Sequence, residues 1–96
     1  MNTYLISYDL VWPENSSDYT RIISHIKSLW NWAKPLESLF LVVTNTPLST
    51  IRGGIWKITD NNDKILVIDI TWDSWATEHI PQDVNNWLNT NVKNYN

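Results

Sequence analysis

Three short apolar runs constrain what this chain can become: TYLISYDL at residues 3–10, LESLFLVVT at 36–44 and KILVIDI at 64–70. Each is rich in branched and aromatic side chains and reads as strand. Between and behind them the apolar residues change to helical spacing. Tyr19, Ile22, Ile23, Ile26, Leu29 and Trp30 form the first such stripe, with Ser16, Ser17 or Asp18 placed to cap it and Arg21, Ser24, Lys27 and Ser28 on the solvated side. Thr46 as cap and Pro47 as first helical residue open a second helix, with Leu48, Ile51, Ile55 and Ile58 in line. Gly53 and Gly54 lie inside it and cost roughly 1 kcal/mol each against alanine, so this helix depends on packing. After the third strand, an irregular TWDSWATEHI leads to an amphipathic helix over 81–92, with Ile80, Val84, Trp87 and Leu88 on one side. WPENSS and TDNND are turns, and the asparagine-rich tail frays.

This order admits a doubly wound parallel sheet or a two-layer α+β sandwich. In the second, the middle strand region is half of a hairpin beginning near Trp32. The doubly wound form wants a glycine-rich, phosphate-holding turn after its first strand, and DLVWPENSS contains no glycine. The expectation is the two-layer sandwich. KILVIDI, which does not alternate, is expected at the centre of the sheet, buried on both faces. One face of the sheet lies under helices, and the other is open, a natural dimer surface.

Ninety-six residues with 43% hydrophobic content suffice for one core and one domain, so a cleft between domains is excluded. The absence of cysteine rules out disulfides and thiolate chemistry and suits a reducing compartment. The longest unbroken apolar run, residues 39–43, is far short of the ~20 residues that cross a bilayer, and a strand-like start leaves no room for a signal peptide. A cytoplasmic protein with no membrane partner is expected. A net charge of −3 weighs against tight, salt-sensitive binding of a nucleic-acid backbone. Seven tryptophans cannot all be central in so small a core, and some are expected at a surface that another chain covers.

The YDL that closes the first strand, the helix after it, the Ser-x-Phe of Ser38, Leu39 and Phe40, the second helix and the strand opened by Asp63 follow one another in a recognisable order. Over residues 1–70 that order resembles the small CRISPR-associated protein 2 superfamily, whose members accompany the spacer integrase and share their fold with the virulence-associated protein D ribonucleases. The resemblance implies an α+β, ferredoxin-like two-layer sandwich, here with an additional C-terminal helix, and a homodimer. It also implies a metal-dependent endonuclease acting on RNA or DNA, with Asp9 as catalytic residue and ligand for Mg2+ or Mn2+. The chain departs from the family pattern in three places. Leu36 stands where a glutamine is common, the first basic residue is Arg21, inside the helix, and a helix containing Trp87 replaces the strands that often pair across the family's dimer. The missing arginines and the acidic balance favour an alternative, a noncatalytic homodimeric scaffold that binds a protein or nucleic acid, whereas the retained YDL favours the nuclease.

A carboxylate at the end of a strand can also simply brace the following loop by accepting backbone N–H bonds. Asp69 closes the third strand as Asp9 closes the first. If the two strand ends meet, Asp69 and Asp73 are further ligands; otherwise Asp69 is a solvated edge of the open face and Asp73 belongs to a turn. Two-fold symmetry would bring two copies of Asp9 together around one hydrated magnesium ion, which could generate hydroxide for phosphodiester hydrolysis. His25 and His79 lack a second histidine at metal-binding spacing. Trp30, Trp32, Trp72 and Trp75 sit in or beside connections, where stacking on single-stranded bases competes with packing and dimer contact, and the latter is expected. Trp12, Trp56 and Trp87 are expected between helix and sheet.

Overall fold

The computed structural model describes residues 1–9, 16–29, 31–57 and 63–92, with side chains from Thr20 onward in the first helix. The turn after the first strand, Trp12, Trp30, Ile58, the turn at 59–62 and the tail lie outside the described residues, as do the helix-capping side chains and that of Tyr19. Seven elements follow one another: β1 (Asn2–Asp9), α1 (Ser16–Ser28), β2 (Asn31–Leu36), β3 (Leu39–Thr44), α2 (Leu48–Trp56), β4 (Lys64–Asp69) and α3 (Gln82–Asn91). The middle strand region is therefore a hairpin, closed by Glu37 and Ser38, and the last helix is an addition to a βαββαβ core.

The four strands form one antiparallel sheet in the order β2-β3-β1-β4. This is the ferredoxin-like arrangement, with β1 between the last strand and the hairpin. Register follows from the ladders: Ile6 faces Phe40 on one side and Val67 on the other, and Leu5 faces Leu41 and Ile68. Because paired residues share a face and successive residues alternate, β1 sends Tyr4, Ile6 and Tyr8 to one side and Thr3, Leu5, Ser7 and Asp9 to the other.

The first side is the main core. Tyr4, Ile6, Tyr8, Phe40 and Val42 from the sheet meet Ile22 and Ile26 of α1 and Ile51 and Ile55 of α2, all buried. Phe40 stacks on Tyr8, with ring centroids 6.5 Å apart, and takes the edge of Trp32 at 5.8 Å. The Lys27 ammonium sits 4.7 Å from the Trp32 ring, so this tryptophan is engaged in packing and a cation–π contact. Gly54 marks where α2 approaches α1: a methyl group there would lie 2.7 Å from His25 Nε2, whereas Gly53 faces open space.

Two sequence expectations about the sheet are corrected. β4 is an edge strand, not the central one, and only its odd residues Ile65 and Val67 pack against the main core. Leu66 and Ile68 point to the other side and are exposed, so the unbroken apolar run comes from an uncovered stripe and not from burial on both faces. The second side of the sheet is likewise not simply open. Leu41 is buried there with Val84, Leu88 and Val92, and Leu5, Leu39, Ile70, Trp75, Ile80 and Trp87 pack around them. Thus α3 and the irregular segment before it cover β1, β3 and part of β2 and leave β4 bare. Three smaller expectations also shift. Pro47 is the N-cap of α2 and not its first residue, Pro81 caps α3 in the same way, and Trp56 is exposed at the end of α2 instead of packed between helix and sheet.

Asn31, at the start of β2, fastens α3 to the sheet. Its Oδ1 accepts the indole N–H of Trp87 at 2.9 Å, and its Nδ2 donates to Asn91 Oδ1 at 2.8 Å. Asn91 in turn donates to the Trp87 carbonyl, and its own carbonyl accepts the Thr3 hydroxyl. Asn31→Ala removes both side-chain bonds and leaves the part-buried indole N–H without its acceptor. A destabilisation of about 1–3 kcal/mol is expected, read in chemical denaturation as a lower midpoint at unchanged slope.

Candidate functional site

Asp9 ends β1 on the second side of the sheet, exposed, and directly across the ladder from Lys64 of β4. The other neighbour of this strand end is the β2–β3 turn. The Ser38 carbonyl accepts the Tyr8 backbone N–H at 3.1 Å and the Ser7 hydroxyl at 3.3 Å. The end of β1 that carries Asp9 and the Ser-x-Phe segment therefore come together at one end of the sheet. The roles of that segment are structural here: Ser38 holds the end of β1 through its carbonyl, and Phe40 lies wholly buried in the core. A shallow cavity of about 160 Å³ beside Asp9 is lined by Ser7, Tyr8, Lys64, Ile65 and Leu66.

Asp69 does not join Asp9. The two strands run antiparallel, so Asp69 faces Tyr4 at the far end of β1 while Asp9 faces Lys64. The Asp69 carboxylate is used locally: Oδ1 accepts the Thr71 backbone N–H at 2.9 Å and also the Thr71 hydroxyl. That hydroxyl oxygen accepts the Thr3 N–H at 3.1 Å, so Asp69 braces the exit from β4. It is exposed, as an edge residue should be, but it stands on the helix-covered side of the sheet. Asp73 is exposed in the following turn, where its N–H bonds the Ile70 carbonyl at 3.1 Å.

The donor set for a divalent cation is therefore thin. Among the described residues no group of three or more histidine, aspartate or glutamate side chains converges. The residue across the ladder from Asp9 is the cation Lys64, which is no metal ligand at neutral pH. The described residues of one chain supply no set that fits magnesium or manganese. His25 packs beside Gly54, and His79 is exposed 3.6 Å from Glu78, with a φ of 57° that turns the chain into Ile80. Neither faces Asp9.

Residues that sequence reasoning passed over surround this strand end. The Tyr8 ring is buried beside Phe40, and its hydroxyl reaches the Glu37 carbonyl at 3.5 Å. Burial raises the Tyr8 pKa above the ordinary tyrosine value. The neutral phenol is then favoured in the folded chain. Its contribution to stability is complete below the unfolded pKa of about 10 and is lost as pH rises through the higher folded value. Denaturation from pH 8 to 11 is expected to show falling stability above about pH 10, with the part due to this group absent in Tyr8→Phe.

No protein-family model and no curated protein matches the sequence. A search of solved structures finds a hypothetical protein from Thermus thermophilus at a TM-score of 0.63 and 16% identity, covering 83% of this chain and 94% of that one. At that identity the likeness establishes the fold. Among the described residues no helix is long and apolar enough to cross a membrane.

Proposed function

We propose that this chain is a noncatalytic homodimeric scaffold that binds a further protein or nucleic acid, and that it dimerises through the uncovered part of its second sheet face. The observation that carries the reading is the pair Leu66 and Ile68, 54% and 42% exposed on an edge strand. Ile68 continues the apolar row of Leu5, its partner across the ladder, and Leu66 lies beside it opposite Ser7, beyond the area that α3 covers. Burying such a side chain is worth roughly 1.5–3 kcal/mol, and a bare apolar edge strand is a hazard that a partner removes. A second copy presents the same stripe, and a two-fold axis makes the stripe self-complementary. The net charge of −3 favours a protein over a nucleic-acid backbone as the further partner.

Light scattering behind a sizing column should give the mass of two chains for the wild type. Leu66→Glu should weaken the dimer at least about tenfold with unchanged circular dichroism. A wild-type monomer at about 100 µM, a concentration at which any dimer with a Kd of about 10 µM or tighter is mostly assembled, overturns the reading.

A second reading is a metal-dependent endonuclease that cleaves RNA or DNA. It is supported by the place of Asp9 on the same face as Leu66: a two-fold axis near that stripe brings two Asp9 carboxylates toward each other, a pairing that the described residues of one chain do not offer. Under this reading, magnesium-dependent cleavage disappears in Asp9→Ala while the dimer persists. Equal residual cleavage in both proteins removes the nuclease and leaves the scaffold.

A further inference from the structure

Beneath the segment that joins β4 to α3 lies a second cavity, about 410 Å³, on the side of the sheet away from α1 and α2. Its floor is Leu5, Leu39 and Leu41 of the sheet, and its far wall is Leu88 and Val92. The roof is residues 73–78, which form neither helix nor strand. That volume is in the range of small-molecule sites, and the walls are mostly aliphatic, as such sites are.

Trp75 lines the cavity, and its indole Nε1 is buried with no hydrogen-bond partner among the described residues. A buried tryptophan N–H nearly always finds an acceptor, and leaving it unpaired costs on the order of 1–3 kcal/mol. Trp87 on the same side of the sheet shows the ordinary outcome, since its N–H is taken by Asn31. The charged residues of the wall are Asp73 and Glu78, and none of the described lining residues is basic. An anion is disfavoured there. The chemistry asks for a neutral, mostly apolar molecule that carries an acceptor oxygen.

We infer that this cavity binds a small neutral apolar compound with a carbonyl or ether acceptor, held between Leu41 and Leu88 and hydrogen-bonded by the Trp75 indole N–H. The N–H is sealed from water, so uptake is coupled to a small shift of the irregular roof that carries it. Leu36, exposed at the rim, forms part of the mouth.

The test uses prodan, a neutral naphthyl ketone whose emission reports both polarity and hydrogen bonding at its carbonyl, titrated into the full chain. Saturable binding of one dye per chain is expected. Trp75→Phe, which keeps an aromatic ring and removes the donor, should bind about five- to tenfold more weakly. The dye bound to this variant should also emit further to the blue, a shift that loss of packing alone does not produce. Leu36→Glu, at an exposed position that leaves the fold intact, should weaken binding as well. Anilinonaphthalene sulfonate, an anion of similar size, should bind at least about tenfold more weakly than prodan. The proposal is overturned by the absence of saturable prodan binding, by several dyes per chain, or by equal affinity in folded Trp75→Phe and wild type. Tighter binding of the anion overturns it too. So does displacement of the dye as protein concentration rises, which would assign the cavity to a second copy of the chain.

Discussion

Everything in this molecule depends on β1 being paired along both edges. Its ladder to β3 fixes the hairpin, and its ladder to β4 closes the βαββαβ order. Since its side chains alternate between two separate apolar clusters, one register sets both cores at once. A slip of one residue would carry Tyr4, Ile6 and Tyr8 out of the α1 and α2 layer and put Thr3, Leu5 and Ser7 into it. The polar members of β1 tolerate burial because each has a partner: Thr3 is 2% exposed and bonds Thr71 and the Asn91 carbonyl, and Ser7 bonds the Ser38 carbonyl. A strand with two packed faces thus carries threonine and serine without an unsatisfied group.

The same alternation explains where sequence reading succeeds and where it inverts the sheet. The strands and helices themselves are legible because their periodicities are strong, and the α1 stripe of Ile22 and Ile26 leads directly to the main core. Sheet order is not legible from apolar runs. β1, interrupted by Thr3, Ser7 and Asp9, reads as less buried than KILVID, yet β1 is the inner strand and β4 the edge. The rule that continuous apolar runs are central assumes that every apolar face is covered by the same chain. Here Leu66 and Ile68 break that assumption, which is why the misplacement of β4 is informative about assembly.

Legibility of the candidate site divides in a similar way. The place of Asp9 at the end of the first strand is legible from the residues, whereas its meeting with the Ser38 segment follows from the sheet topology, which puts the end of β1 beside the β2–β3 turn. The separation of Asp69 from Asp9 follows from antiparallel pairing, which reverses one strand end relative to the other and depends on topology. Asn31 and Trp75 carry no local signature at all. Asn31 matters only because α3 returns across β2, and the unpaired N–H of Trp75 exists only because the segment before α3 folds over Leu5 and Leu41. Contacts made by a returning C-terminal element are long-range in the chain, and periodicity is blind to them.

The added helix is then what differentiates the two halves of the second sheet face. Without α3 that face would be one apolar surface from β3 to β4, suited to a flat contact. With α3 and its preceding segment in place, the β3 and β1 half becomes a roofed cavity open at a rim that includes Leu36, and the β4 half remains a narrow stripe next to Asp9 and Lys64. Leu5 belongs to both, lining the cavity and standing beside Ile68 across the ladder. A chain that covers the stripe therefore abuts the cavity wall. Under the two proposals, occupancy of the cavity and closure of a dimer would act on the same side chain, and the roof at 73–78 has no helix or strand of its own to resist either.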